Sequence, residues 1–319
     1  MPSPSLPNEY AVELTPPDIS AYAAGNTGIP YIWRFEGPKP GPHAMVSAIV
    51  HGNEPAGAIA LDWLLQRDFR PLCGTLTLAF MNIAAYEAFD PADPNATRWV
   101  DEDFNRVWAQ DVLDGDRDSV ELRRARAVRP AVAAAERLLD IHTMQHLAPP
   151  VMIAGTKDKG VALAREIGVP GIVITDAGHA AGVRMRDHGA FDEAASRASA
   201  CLIECGQHWE ASAGILAKDS TARFLAALGM ADAELIAEVG GAEPEPQVFF
   251  EVTEPVTIRE SFTFASPFTG GEIIPKAGTV LGHDGDRAIV TPYDDCMLVM
   301  PSKRLWAGQT AVRLARRTA

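Results

Sequence analysis

Apolar residues in the first two thirds of the chain come in short runs separated by stretches of helical spacing. Residues 44–50 are nearly all apolar, which predicts a strand buried on both faces of a sheet. Residues 56–66 repeat at the helical period, with Ile59, Leu61, Leu64 and Leu65 as the stripe facing the core. A second strand is expected over 74–80. From Asn82 to Gln110 neither period holds, and Pro, Asp and Asn are frequent. A loop that long inside a compact domain goes with function or with disorder. Residues 118–137 return to a helical pattern, opened by Asp118 with Glu121 three positions later as a capping pair. Pro130 is expected to kink that helix or split it. Further strands are expected over 138–141, 151–154, 171–174 and 200–204, and the last helix of the region over 221–228.

Strands alternating with helices predict an α/β fold, a mostly parallel or mixed sheet with helices on both faces. The pattern changes after Gly240-Gly241. Residues 242–246 read as a linker, and beyond them come short runs of Val, Thr, Phe and Ile broken by Pro and Gly, without a helical period. That texture predicts a small C-terminal β-domain over 242–319, after an α/β catalytic domain over 1–241. Tyr293 falls in one of its strands.

Composition then removes several functions. The chain has 319 residues, 47% of them hydrophobic, enough for a large core. It carries 42 acidic and 28 basic residues, a formal net charge of −14, and its one basic stretch is Arg313 to Arg317. Binding to nucleic acid needs a basic face, so no nucleic acid is expected as a partner. Cysteines 73, 201, 205 and 296 make no metal or redox pair, and Cys201 and Cys205 read as small apolar residues of a buried strand. Residues 1–7 have neither the basic nor the apolar part of an export signal. No apolar run approaches the ~20 residues that cross a bilayer, so no membrane is expected and the default location is cytoplasmic.

Candidate chemistry sits where strands of the expected sheet end. His51-Gly52-Asn53-Glu54 follows the strand at 44–50, and a His and a Glu three apart can meet one metal ion from a strand-to-helix turn, with Gly52 giving the backbone room to bend. Asp140-Ile141-His142 follows the strand at 138–141, and Glu204 stands at the tip of the strand at 200–204. In open α/β sheets the site lies beyond the carboxyl ends of the strands, where all three converge. Two His and one Glu leave a fourth position on zinc for water, the arrangement of a catalytic site. Glu204 suits the shuttling of a proton, and Asp140 suits the fixing of a ligating His tautomer. In the long loop, residues 98–106 set Arg98, Asn105 and Arg106 in an acidic run. One Arg can stabilise an oxyanion, and Asn105 with Arg106 can clamp a carboxylate. The loop from Asp176 to Gly189, with His179 and His188, is a candidate wall for a pocket.

The order and spacing of His51-Gly52-Asn53-Glu54, Arg98 seven residues before Asn105-Arg106, Asp140-Ile141-His142 and Ile203-Glu204-Cys205-Gly206 resemble the succinylglutamate desuccinylase/aspartoacylase family, a branch of the zinc carboxypeptidase-like hydrolases. The resemblance spans about residues 40–230, and the C-terminal β-domain agrees with it. It implies one zinc ion (Zn2+) per chain on His51, Glu54 and His142, and Glu204 as general base and acid. It also implies Arg98 as the group polarising the carbonyl, and Asn105 with Arg106 as binders of a substrate carboxylate. The expected substrate is a small N-acyl amino acid-like amide, cleaved at its amide bond; the oligomeric state is left open, with a homo-oligomer allowed. Two departures are mild: the family's Asp-Leu-Asn-Arg reads Asp103-Phe104-Asn105-Arg106, and Trp99 replaces a usual Tyr. The second carboxylate-binding Arg of some members has three candidates upstream of Glu204, namely Arg184, Arg186 and Arg197. Two rivals are a metallocarboxypeptidase acting on peptide C-termini and a zinc-holding binding protein without turnover.

Overall fold

A computed structural model describes residues 8–178, 181–241 and 243–318. The first seven residues, His179 in the candidate pocket loop and Ala242 in the expected linker lie outside the described residues. The α/β part runs through β1 (Ile32–Glu36), β2 (His43–Ala48), α1 (Pro55–Gln66), β3 (Thr75–Phe80), α2 (Ile83–Glu87), α3 (Gln110–Asp114) and α4 (Val120–Ala134). It continues with β4 (Arg137–Met144), β5 (Val151–Ile153), α5 (Asp158–Ile167), β6 (Ile172–Thr175), β7 (Ser199–Gln207), α6 (Ala211–Ala227) and α7 (Ala233–Val239). Strands alone follow: β8 (Val248–Thr257), β9 (Phe262–Phe264), β10 (Ile273–Ile274), β11 (Val280–Asp284), β12 (Arg287–Val290), β13 (Cys296–Val299) and β14 (Thr310–Thr318).

The main sheet is mixed, in the order β1-β3-β2-β4-β7-β5-β6-β8-β14-β13-β10. Its centre is parallel, with β2 between β3 and β4 and β4 beside β7. Alternate residues of β2 face opposite sides, as the pleat requires. Val46 and Ala48 pack with α1, α5 and α6, whereas Met45 packs with α4 and with Phe104 and Trp108. Both faces are therefore covered, and this explains why β2 reads as a continuous apolar run. Strand β8 pairs in parallel with β6 from Ile172↔Val248 onward, so the C-terminal strands continue the same sheet. A separate antiparallel sheet, β12-β11-β9, stands beside it. Among the described residues no helix is long and apolar enough to cross a membrane.

Several expectations change. The stretch 82–110 is not structureless, since α2 and a 3-10 turn over Phe104–Arg106 lie within it. The N-cap of α4 is Ser119, whose Oγ accepts from Leu122 N at 3.0 Å, while Asp118 pairs with Arg123. Glu121 does not reach back to the cap, because its carboxylate is buried under the loop before the helix. Pro130 neither ends nor divides α4, because it falls near the helix's C-terminal end, where few turns remain to disrupt. Strands β4 and β7 run past the polar residues taken as their ends, since the pairing of His142 with Glu204 carries the ladder onward. Helix α6 begins ten residues earlier than expected and α7 follows it. Tyr293 lies in the turn before β13, its hydroxyl 2.7 Å from Thr253 Oγ1.

Candidate functional site

The turn between β2 and α1 is tightly built. Ile49 is a β-branched residue at φ 54°, a conformation that costs roughly 1–3 kcal/mol and persists only when the surroundings impose it. Full burial and the Asn82 N–H donated to its carbonyl at 3.0 Å impose it. Gly52 contributes close approach, not left-handed backbone: a Cβ there would come within 2.3 Å of the Ala85 carbonyl carbon and 2.4 Å of Thr97 O. The Gly52 N–H donates to Arg98 O at 3.0 Å, which ties this turn to the loop bearing Arg98. Pro55 starts α1, so Glu54 occupies the N-cap position without capping the helix. Its carboxylate turns inward instead.

There it meets both imidazoles. His51 Nδ1 lies 2.7 Å from Glu54 Oε1 and His142 Nδ1 lies 3.0 Å from Glu54 Oε2. One donor atom from each of the three residues falls within 4.8 Å of the others, and all three residues are buried. The far ring nitrogens each find an aspartate: His51 Nε2 is 2.9 Å from Asp103 Oδ1, and His142 Nε2 is 3.0 Å from Asp140 Oδ2. Asp140 is anchored in turn by the Ser47 hydroxyl at 2.7 Å. Burial works against the charge on Glu54, but the two imidazoles outweigh it and hold its carboxyl well below the usual range. Burial likewise opposes charge on His142, and the carboxylates of Asp140 and Glu54 overcome it and raise its pKa well above the ordinary value. Such a cluster of mutually compensated charge around one point is what a bound cation would exploit.

Glu204 projects from β7, in register beside His142. Its Oε2 is buried without a hydrogen-bond partner. Burial, aided by the carboxylate of Glu54, pushes its carboxyl up to about 8. Arg98 donates to Glu54 Oε1 at 3.1 Å, with Nη2 3.0 Å from His51 Nε2. Asn105 accepts from Met185 N at 2.9 Å, and Arg106 Nη1 donates to Asn105 O at 2.7 Å. Glu121 holds this loop, accepting from the N–H groups of Val100, Asp101 and Glu102 at 2.7 to 3.2 Å.

His51, His142, Glu204, Arg98, Asn105 and Arg106 all line one cavity of about 760 Å³, whose far wall comes from residues 264–270 and 299–305. Of the three further arginines, only Arg184 reaches it, and there it is tied to Asp176 at 2.9 Å and to Asp187. Arg186 bonds the carbonyls of Ala154 and Ala200, and Arg197 is exposed. His188 turns to Trp108 O instead of the cavity. Sequence reasoning missed Asp103 as the partner of His51. The signal was present, an aspartate two residues before Asn105, but nothing local tells which histidine it meets. It also missed Arg304 and Arg313, which reach the cavity from the C-terminal strands.

Residues 40–228 match the family model described as the succinylglutamate desuccinylase/aspartoacylase catalytic domain. Among solved structures, the succinylglutamate desuccinylase/aspartoacylase from Rhodobacter sphaeroides is similar with a TM-score of 0.64 and 18% identity, over 91% of this chain and 89% of that one. The succinylglutamate desuccinylase from Vibrio cholerae gives a TM-score of 0.64 and 15% identity, over 90% and 86%. Murine aminoacylase 3 gives 0.59 and 16%, over 88% and 97%. Comparison with curated protein sequences finds no match. At these identities the structural likeness concerns the fold.

Proposed function

The chain belongs to the succinylglutamate desuccinylase/aspartoacylase family, and from that premise we propose that it is a zinc-dependent hydrolase cleaving the amide bond of an N-acyl amino acid or a similar small amide. The observation that carries this reading is the orientation of the two imidazoles. Each turns Nδ1 to Glu54, and the Nε2 proton that His142 gives to Asp140 leaves its Nδ1 lone pair facing the point that His51 Nδ1 and Glu54 also face. Two imidazoles and a carboxylate are a donor set that suits zinc with a position left over. A divalent cation held by His51, Glu54 and His142 would polarise the amide carbonyl and acidify a water beside it.

The rest of the reaction falls to the chain's own side chains. Glu204 accepts the proton of the attacking water and returns it to the leaving nitrogen. Arg98 donates to the carbonyl oxygen as negative charge develops on it. Asn105 and Arg106 hold the substrate's carboxylate, since among the described residues no carboxylate is hydrogen-bonded to Arg106. The wall supplied by residues 264–270 and 299–305 supports a small amide over a peptide C-terminus. Glu204, costly to bury and with one oxygen unpartnered, supports turnover over mere metal storage.

Elemental analysis of the purified chain and its variants tests this. The expected result is about one zinc per chain, lost in His51→Ala and His142→Ala. Glu204→Ala should keep its zinc and lose turnover of N-acyl amino acids by about 100-fold or more. Near-normal turnover in Glu204→Ala would overturn the mechanism, and a wild-type chain that takes up no zinc would overturn the reading itself.

A further inference from the structure

The last torsion of a glutamate side chain is broad and two-fold, so a carboxylate keeps one plane only where partners hold it. Glu54 is held at both oxygens. Arg98 Nη1 donates to Oε1 at 3.1 Å, and the Thr143 N–H donates to Oε2 at 3.2 Å. The second hold is a peptide group, and its direction depends on what fixes Thr143.

The ladder between β4 and β7 slips at this point, from His142↔Glu204 to Met144↔Gln207, two steps on β4 against three on β7. One extra residue in β7 bends the strand, as a bulge does. Gly206 takes up the bend at φ 116°. A Cβ there would meet nothing nearer than Glu210 Oε2 at 3.6 Å, so conformation and not space calls for glycine. After the bend His208 lies against the end of β4. Its N–H donates to Met144 O at 2.9 Å, and its Nδ1 lies 2.8 Å from Thr143 Oγ1. The residues on either side fix it in turn. Gln207 Nε2 donates to Gln145 O at 3.2 Å, and Gln207 Oε1 accepts from Trp209 N at 2.9 Å. Trp209 Nε1 donates to Asn53 O at 3.1 Å, in the turn between His51 and Glu54. His208 and Trp209 are each only 1% exposed.

Thr143 lines the cavity, and a hydroxyl this close to an imidazole has the spacing of a nucleophile with its base. Burial, however, pushes the His208 pKa down to about 3, and so weak a base takes no proton from a hydroxyl at neutral pH. The bond then serves to orient. Resting on the hydrolase reading above, we propose that His208 is a positioning residue of the metal centre, which fixes Thr143 and, through the Thr143 N–H, the plane of the Glu54 carboxylate.

Titration of the metal-free chain with cobalt(II) tests this, because the visible absorption of that ion reports ligand geometry as well as affinity. His208→Leu removes the imidazole, and Thr143→Val removes the hydroxyl while keeping the shape of the side chain. Each should weaken cobalt binding by about tenfold, the low end for loss of an outer partner, and shift the absorption bands. The double variant should lose little more than either single, since both remove the same bond. In His208→Asn the amide stands where Nδ1 was and offers a donor or an acceptor, so affinity should return to within about threefold of the wild type. A merely structural bond would instead lower the melting temperature of His208→Leu and Thr143→Val and leave affinity and spectrum unchanged. That result would overturn the assignment, as would multiplied losses in the double variant or a His208→Asn as impaired as His208→Leu. If His208→Leu fails to fold, Thr143→Val and His208→Asn decide alone. None of these readings needs turnover. A chain that cleaves no N-acyl amino acid yet loses cobalt affinity in both single variants would refute the hydrolase reading and sustain the role of His208. An active hydrolase whose cobalt affinity neither variant alters would do the reverse.

Discussion

Replacing Asp140 by Asn tests how the candidate metal centre is built, because the change keeps the shape of the side chain and removes its charge. Asp140 is fully buried and uses both oxygens: Oδ1 accepts from Ser47 Oγ at 2.7 Å and Oδ2 faces His142 Nε2 at 3.0 Å. As long as both oxygens accept, His142 must carry its proton on Nε2. Its Nδ1 then offers a lone pair to the point it shares with His51 and Glu54. In Asp140→Asn the new amide has one acceptor and one donor end. If its oxygen faces His142, the tautomer survives and only the charge is lost. If its NH2 faces His142, the proton moves to Nδ1 and the lone pair disappears from the site. Either outcome weakens zinc binding.

The expected loss is about 10- to 100-fold in zinc affinity, the usual effect of removing such an outer partner. Competition with a chromophoric chelator at one fixed, mildly alkaline pH measures it directly. Ser47→Ala is the control. It removes the donor to Oδ1 and leaves the His142 contact, so it should cost about 1 kcal/mol of stability and change zinc affinity by about threefold or less. An Asp140→Asn variant with wild-type zinc affinity would show that His142 keeps its tautomer without Asp140, and the reasoning would fall.

Two other perturbations probe the frame around the site. Glu121→Gln puts a donor where Oε2 now accepts from both Asp101 N and Glu102 N, at 3.0 and 3.2 Å. It should cost about 3 kcal/mol in urea unfolding, and a loss below about 0.5 kcal/mol would mean that Glu121 does not hold the loop. Gly52→Ala forces a Cβ to within 2.3 Å of the Ala85 carbonyl carbon, so the turn bearing His51 and Glu54 must shift. That variant should fail to retain zinc; normal zinc content would show that the contact yields.

What could be read from the sequence follows the range over which each feature is determined. His51 and Glu54 are three residues apart in the turn between β2 and α1, and the apolar run of β2 marks that turn unaided. His142 and Glu204 were legible as polar breaks in apolar strands, though they were misread as strand ends. They lie inside β4 and β7, where the ladder runs through them and their side chains face the cavity. The covered sheet was legible because burial on both faces leaves a continuous apolar signature. By contrast β1, an antiparallel strand at the edge of the sheet, mixes charged and aromatic residues and gives no such run. The role of Glu121 was hidden for another reason. Its spacing after Asp118 fits a capping box, and only the fold brings the backbone of residues 100–102 onto its carboxylate.

The C-terminal strands mark the limit of local reading. Their composition separates them from the α/β part, which suggests an appendage. Yet β8 continues the main sheet through β6, and the segment between β13 and β14 walls the cavity. Arg304 stands 206 residues after Arg98 in the chain, and the two share one indole ring. Net charge is a sum over the whole surface, and at −14 it argues against anions as partners. The potential inside a cleft depends instead on the few charges that line it and on the low dielectric of its walls. Six cationic side chains line the cavity, and of these Arg98, Arg184 and Lys303 are paired with Glu54, Asp176 and Glu9. Strands distant in sequence thus bring Arg304 and Arg313 to the same cavity as Arg98 and Arg106.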